Sequence, residues 1–163
     1  MSSAITSKSK TVLLAGASGY IGKFVCKELT SRGHSVITIG RSNPHAVDTL
    51  ICSKIEVDLC SRQGIEGIKY LIPPVDVVIS CLGSRSGGKK DAWLVELGAN
   101  QTLLSLARSK HATQFVLLSA ICVQKPRLEF QFAKLAFEKK LIKSGIPYTI
   151  VRPTAYFKSL AGQ

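Results

Sequence analysis

Gly16-Ala17-Ser18-Gly19-Tyr20-Ile21-Gly22 is the stretch that decides the fold. Before it stands Thr11–Ala15 (TVLLA), a short aliphatic run that reads as a buried strand. After it, a helical pattern runs over residues 20–32 and stops at Gly33. Gly16 permits the tight turn off the strand, Gly19 lets a pyrophosphate approach the backbone, and Gly22 lets the helix pack against the sheet. The amides at the helix start, over Ser18, Gly19, Tyr20, Ile21 and Gly22, together with the helix dipole, suit phosphate groups. A glycine triplet alone is weak, but this one has the strand–turn–helix setting that a dinucleotide site needs.

Outward from this loop the same alternation continues. Strands are predicted at 35–39, 54–57, 76–80, Gln114–Leu118 and Tyr148–Val151. Helices are predicted at 61–70, 92–109 and 128–143, the last ending at Gly145. Residues 84–90 (SRSGGKK) read as a flexible loop after the fourth strand. Strands alternating with helices give a parallel sheet covered on both faces. With right-handed crossovers this predicts a doubly wound α/β Rossmann sheet of order 3-2-1-4-5-6. Residues 1–10 are expected to be a flexible N-terminus and 11–163 one dinucleotide-binding domain. Few residues follow the sixth strand, so the expectation is either a minimal binding domain or the N-terminal part of a longer protein lacking its C-terminal substrate region.

Composition sets limits on function. The chain has 163 residues, 45% hydrophobic and 20% charged, which excludes a disordered chain. No apolar run reaches the roughly 18 residues of a membrane span, and no signal-peptide pattern opens the chain. It is therefore expected to be intracellular, or to have already lost its address. Five cysteines, without a C-x-x-C pair, argue against a disulfide scaffold and a structural zinc site, and read as reduced, packed side chains; no metal is expected. The net charge is +12, and most of the excess follows Leu82. That field suits an anionic ligand; no basic run interleaved with aromatics points to nucleic acid.

The cofactor choice follows from the end of the second strand. An acid about 20 residues past the loop would select NAD by binding its ribose. The sequence there is Ile39-Gly40-Arg41-Ser42. A guanidinium suits a 2′-phosphate, so NADPH is expected. Asp58 is read either as an acceptor for the adenine amino group or as the N-cap of the following helix. At the other strand ends, Leu82-Gly83, Ser119 and Pro153-Thr154 are expected to border the cofactor. Lys134 falls in an apolar stripe with Phe130, Phe137 and Leu141, and is read as snorkelling to solvent or as anchoring the ribose hydroxyls.

The GASGYIG loop, Arg41, Ser119 and Lys134 resemble the short-chain dehydrogenase/reductase superfamily in its atypical, NmrA-like branch. Two blocks, 115–134 and 150–163 (IVRPTAYFKSLAGQ), resemble more narrowly the reductases of that branch that act on the 8-vinyl group of divinyl chlorophyllides. The resemblance implies an oxidoreductase of chlorophyll biosynthesis. It would use NADPH to convert the vinyl group of a Mg-containing divinyl chlorophyllide, or divinyl protochlorophyllide, to ethyl. It also implies a bacterial cytoplasmic or a plastid location, with peripheral contact to photosynthetic membranes. The superfamily's Tyr-x-x-x-Lys reads Phe130-Gln131-Phe132-Ala133-Lys134 here. Phenylalanine cannot protonate a developing alkoxide. Ketone chemistry is therefore disfavoured, whereas C=C reduction, in which charge delocalises over a macrocycle, is compatible. Tyr156 and Lys134 are the candidate catalytic proton sources, and Phe157 and Lys158 the candidate macrocycle contacts. The alternative is a non-catalytic NADPH-binding sensor or assembly factor.

Overall fold

The computed structural model describes residues 8–41, 52–61, 65–86 and 88–154. Six parallel strands form one sheet: β1 (Thr11–Ala15), β2 (Ser35–Gly40), β3 (Ser53–Glu56), β4 (Val77–Ser80), β5 (Gln114–Leu118) and β6 (Tyr148–Val151). Their order is β3-β2-β1-β4-β5-β6, the doubly wound order that the alternation of elements predicts.

Side-chain alternation along β1 explains the two layers. Leu13 and Ala15 point into the larger core, with Leu103, Phe115, Phe137 and Leu141. Leu14 points the opposite way, to Ala17, Cys26 and Val36. The larger layer is supplied by α2 (Ile65–Leu71), α4 (Asn100–Ser109) and α5 (Glu129–Ile142), and the other by α1 (Tyr20–Ser31). Right-handed crossovers put connections running towards β6 on one face and those running towards β3 on the other. The direction in which successive strands are added therefore reverses between β1 and β4, which pair in parallel from Val12↔Val77 to Ala15↔Ser80. In such sheets the crevice beyond the carboxyl ends at this reversal is where ligands bind.

Most element boundaries fall within one or two residues of expectation. The main difference lies after β4. Instead of one α-helix over 92–109, helix begins at α3 (Lys89–Ala92), passes through a π-helical segment (Trp93–Ala99) and resumes as α4. Nor are residues 84–90 a loose loop where described. One Asp91 carboxylate oxygen accepts from the amides of Arg85 and Ser86 and from the Ser86 hydroxyl, each at 2.9 Å. Cys122 also departs from the packed-thiol reading: it is exposed and sits at φ 65°, in the turn after β5. Among the described residues no helix is long and apolar enough to cross a membrane.

Candidate cofactor site

The turn off β1 is shaped by contacts that leave no room for a side chain. Gly16 adopts φ +82°, and a Cβ there would lie 2.5 Å from the Cys81 carbonyl oxygen. A Cβ on Gly22 would collide with the Gly16 carbonyl. The Gly19 amide donates to the Gly16 carbonyl at 3.0 Å, closing the turn. At Gly19 no side chain caps α1, and its first turn holds no acid. An anion there meets no carboxylate from the first turn of α1 and no capping side chain.

A cavity of about 800 Å³ opens beyond this turn, at the β1/β4 reversal. Its wall brings together Gly16, Ser18, Gly19, Arg41, Asp58, Leu82 and Gly83, all expected near the cofactor. Arg85, Ser86 and Asp91 line it as well, and the sequence reading had not marked them. The hydrogen bonds of the Ser86 amide and hydroxyl, then that of the Arg85 amide, hold the Asp91 carboxyl below the ordinary carboxylate range. The Asp58 carboxylate accepts from the Cys60 amide at 3.0 Å. As α2 starts at Ile65, Asp58 is not its N-cap; the capping alternative is corrected to a local turn at the cavity wall. Burial pushes the Cys81 thiol, also in the wall, up to about 11, against the pull of the Lys134 charge.

Behind the wall lies a buried polar network. Lys134 is 8% exposed. Its ammonium lies 2.8 Å from Glu96 Oε2 and donates to the Leu118 carbonyl at 3.3 Å. It thus does not snorkel to solvent: it stands in a buried ion pair behind the residues that line the cavity. The contact with Oε2 is charge-to-charge without good hydrogen-bond alignment. Glu96 Oε1 accepts from the Ser84 amide and hydroxyl at 2.8 and 3.0 Å. Ser119 sits at the end of β5, its hydroxyl donating to Glu138 Oε1 at 2.5 Å. Arg152 grips both Glu138 oxygens, at 3.1 and 2.6 Å. Tyr20, Ile21, Gly22, Pro153 and Thr154 are outside the cavity wall. Phe130 is half-buried at the start of α5. Tyr156, Phe157 and Lys158 lie outside the described residues.

Glu96, Glu138 and Asp91 are the groups that sequence reading missed. Glu96 left a usable trace: it falls four residues after the fully buried Ala92, in an otherwise apolar run, so it had to face inward. A buried acid calls for a cation, and Lys134 was already marked as a cation in an apolar stripe.

The family model described as NAD(P)H-binding matches residues 16–161. The chain belongs to the NAD(P)H-binding family. Within the family it is 46% identical to the chloroplastic divinyl chlorophyllide a 8-vinyl-reductase of Cucumis sativus, over 96% of this chain and 41% of that protein. It is 42% identical to the enzyme of the same name from Arabidopsis thaliana, over 96% of this chain and 42% of that protein. The chain therefore spans about two fifths of the length of these curated relatives. Among solved structures it resembles the Bordetella bronchiseptica enzyme WbmH in complex with NAD+, with a TM-score of 0.73 and 18% identity, over 89% of this chain and 56% of that one. That likeness is one of fold.

Proposed function

We propose that the chain forms the NADPH-binding part of a reductase that converts the 8-vinyl group of a divinyl chlorophyllide, or divinyl protochlorophyllide, to ethyl. The observation that carries this reading is the 46% identity to the cucumber 8-vinyl-reductase across nearly the whole chain. It is supported by a cavity at the sheet's reversal point whose glycine turn excludes any Cβ. The chloroplastic relatives support a plastid location over a bacterial cytoplasmic one, with peripheral membrane contact as a finer proposal.

The residues present fit the nucleotide. The turn from Gly16 through Ser18 and Gly19 into Tyr20, Ile21 and Gly22 offers helix-start amides to the pyrophosphate. Arg41, exposed in the cavity wall, would take a 2′-phosphate, and Asp58 the adenine. Leu82 and Gly83 would border the ribose, and Pro153 and Thr154 would turn the chain beyond β6 towards the nicotinamide. Ser119 and Lys134 would act from behind the wall through hydrogen bonds to the nicotinamide half.

When bound, NADPH supplies a hydride to one vinyl carbon. A proton delivered to the other carbon completes the ethyl group, so the C=C bond is reduced by one hydride and one proton. Phe130 supplies no hydroxyl at the superfamily's usual proton donor, which suits a product with no alcohol oxygen. Lys134 holds a proton in its contact with Glu96, and Tyr156 is the other candidate donor.

The chain is to be incubated with NADPH and divinyl chlorophyllide, and the pigment spectrum followed. Removing one conjugated double bond should shift the absorption bands to shorter wavelength while NADPH is consumed in equal amount. NADPH binding with no spectral change and no pigment affinity would favour the second reading, a non-catalytic NADPH-binding sensor or assembly factor. The engagement of both Ser119 and Lys134 with buried carboxylates is the observation that keeps that reading in view.

A further inference from the structure

Glu96 is 2% exposed, yet it belongs to none of the groups assigned to cofactor or substrate. It is brought inward by the π-helical segment Trp93–Ala99, a geometry that recurs at functional sites. Asn100 secures that segment: its amide donates to the Glu96 carbonyl at 2.9 Å, and its Oδ1 accepts from the Ser80 hydroxyl, at the end of β4, at 2.6 Å. The two oxygens of the Glu96 carboxylate then face different partners. Oε1 takes the Ser84 amide and hydroxyl, on the loop that continues from the cavity residues Leu82 and Gly83. Oε2 takes the Lys134 ammonium from α5.

This geometry has a consequence for Lys134. A lysine on a four-carbon stem, placed in a core, moves towards water unless something retains it. Here Glu96 and the Leu118 carbonyl retain it, close enough to Cys81 for its charge to act on a thiol in the cavity wall. An ammonium has three N–H donors. Its aligned bond goes to the Leu118 carbonyl, and its charge contact with Glu96 leaves donor capacity for a ligand. Because Ser84 fixes the other Glu96 oxygen, the carboxylate cannot swing away with the lysine.

We infer that Glu96 is a positioning residue for the cofactor: it links the loop after β4 to Lys134 and thereby sets the lysine against the nicotinamide half of the dinucleotide. The inference rests on the proposed reading of the cavity as an NADPH site. Glu96 acts on one end of the cofactor only. Arg41, at the end of β2, serves the adenosine end, which Glu96 does not touch.

The test separates the two ends of the ligand. NADPH carries both halves, and adenosine 2′,5′-bisphosphate only the adenosine half. Glu96→Gln keeps the side chain's size and an acceptor for Ser84 but removes the charge that retains Lys134. Binding of both ligands is measured by titration calorimetry on the intact chain, with circular dichroism to confirm folding. Glu96→Gln should weaken NADPH about tenfold, the equivalent of one charge-assisted hydrogen bond, and leave the bisphosphate within about twofold. Lys134→Met should show the same asymmetry, and the double variant should be no worse than Lys134→Met alone, since both changes remove one interaction. An equal loss for both ligands would mean that Glu96 only supports the fold, and would overturn the inference; so would unchanged binding of both. Should wild type bind neither nucleotide, the NADPH reading itself falls and takes this inference with it. Should wild type bind NADPH and the variants follow it, only the role of Glu96 falls.

Discussion

Ser119 and Glu138 share a hydrogen bond of 2.5 Å between two side chains that are 2% and 1% exposed. It joins the end of β5 to α5, and Arg152 extends it to the end of β6. The two partners have unequal importance. Removing the Ser119 hydroxyl leaves Glu138 paired with Arg152, so Ser119→Ala should cost about 1 kcal/mol. Removing the carboxylate deprives Ser119 and Arg152 together. Breaking a buried pair costs roughly 3–5 kcal/mol, and the lower end applies because the Arg152 side chain is 34% exposed and can turn to water. Urea unfolding at neutral pH should therefore show Glu138→Ala well below Ser119→Ala. Equal midpoints would mean that the carboxylate does not hold these strand ends together.

Gly22 and Gly83 make a contrasting pair. A methyl group on Gly22 collides with the Gly16 carbonyl, whereas one on Gly83 meets nothing within 4 Å. Gly22→Ala should displace α1 from the turn and cost about 3 kcal/mol or more, as overpacking against fixed backbone does. Gly83→Ala should change stability by less than about 0.5 kcal/mol. Its methyl group would nevertheless project beside the proposed ribose position, so NADPH affinity should fall while the melting temperature holds. Binding titrations and thermal melts on both variants decide this; an unchanged affinity in Gly83→Ala would move the ribose elsewhere.

These contrasts also mark how far the sequence could be read. β1, its glycine turn and the strand order were legible because they depend on local patterns: aliphatic runs of strand length, glycines at fixed spacing and helical intervals between them. The π-helical segment was not, because WLVELGA reads as ordinary helix and the partners of Glu96, Ser84 and Lys134, lie on other elements. Ser119 was placed correctly at its strand end, yet nothing in the helix pattern singled out its partner Glu138. The pairing of Asp91 with the Arg85 and Ser86 amides was hidden for the opposite reason: serines and glycines in sequence suggest freedom, and one carboxylate removes it.

In the proposed reading, Arg41 carries the choice between the two nicotinamide nucleotides. Its guanidinium is exposed at the rim of the cavity, beyond the Gly40 end of β2. A charge-assisted hydrogen bond to a phosphate contributes about 1.5–3 kcal/mol, roughly 10- to 100-fold in affinity. Arg41→Ala should therefore weaken NADPH by about that factor and leave NADH unchanged, and added salt should narrow the wild-type preference. Fluorescence titration with both nucleotides at two ionic strengths checks the expectation. Equal losses for NADPH and NADH would remove Arg41 from the 2′-phosphate and, with it, the reason for preferring the phosphorylated cofactor.

Cys81 and Cys26 fix the behaviour of the fold in alkali. Burial pushes Cys81 from 9.0 up to about 11; burial, then the Cys52 thiol 3.7 Å away, pushes Cys26 from 9.0 up to about 12. Both folded values lie above the unfolded one, so between them the unfolded chain has lost protons that the folded chain keeps. The contribution of these two thiols is then constant below about pH 9, and stability falls as pH rises through 11, the direction set by linkage. Urea midpoints from pH 8 to pH 11 should trace that decline, and replacing Cys81 with alanine should make it shallower, leaving the share of Cys26. At pH 8 the same two thiols should resist iodoacetamide in the native protein, because the reactive thiolate is scarce, while the exposed Cys122 is alkylated. Saturating NADPH should slow alkylation of Cys81 further, since that thiol lines the cavity, and leave Cys122 unaffected. Rapid labelling of Cys81 that ignores the nucleotide would contradict both its burial and its place in the cofactor wall.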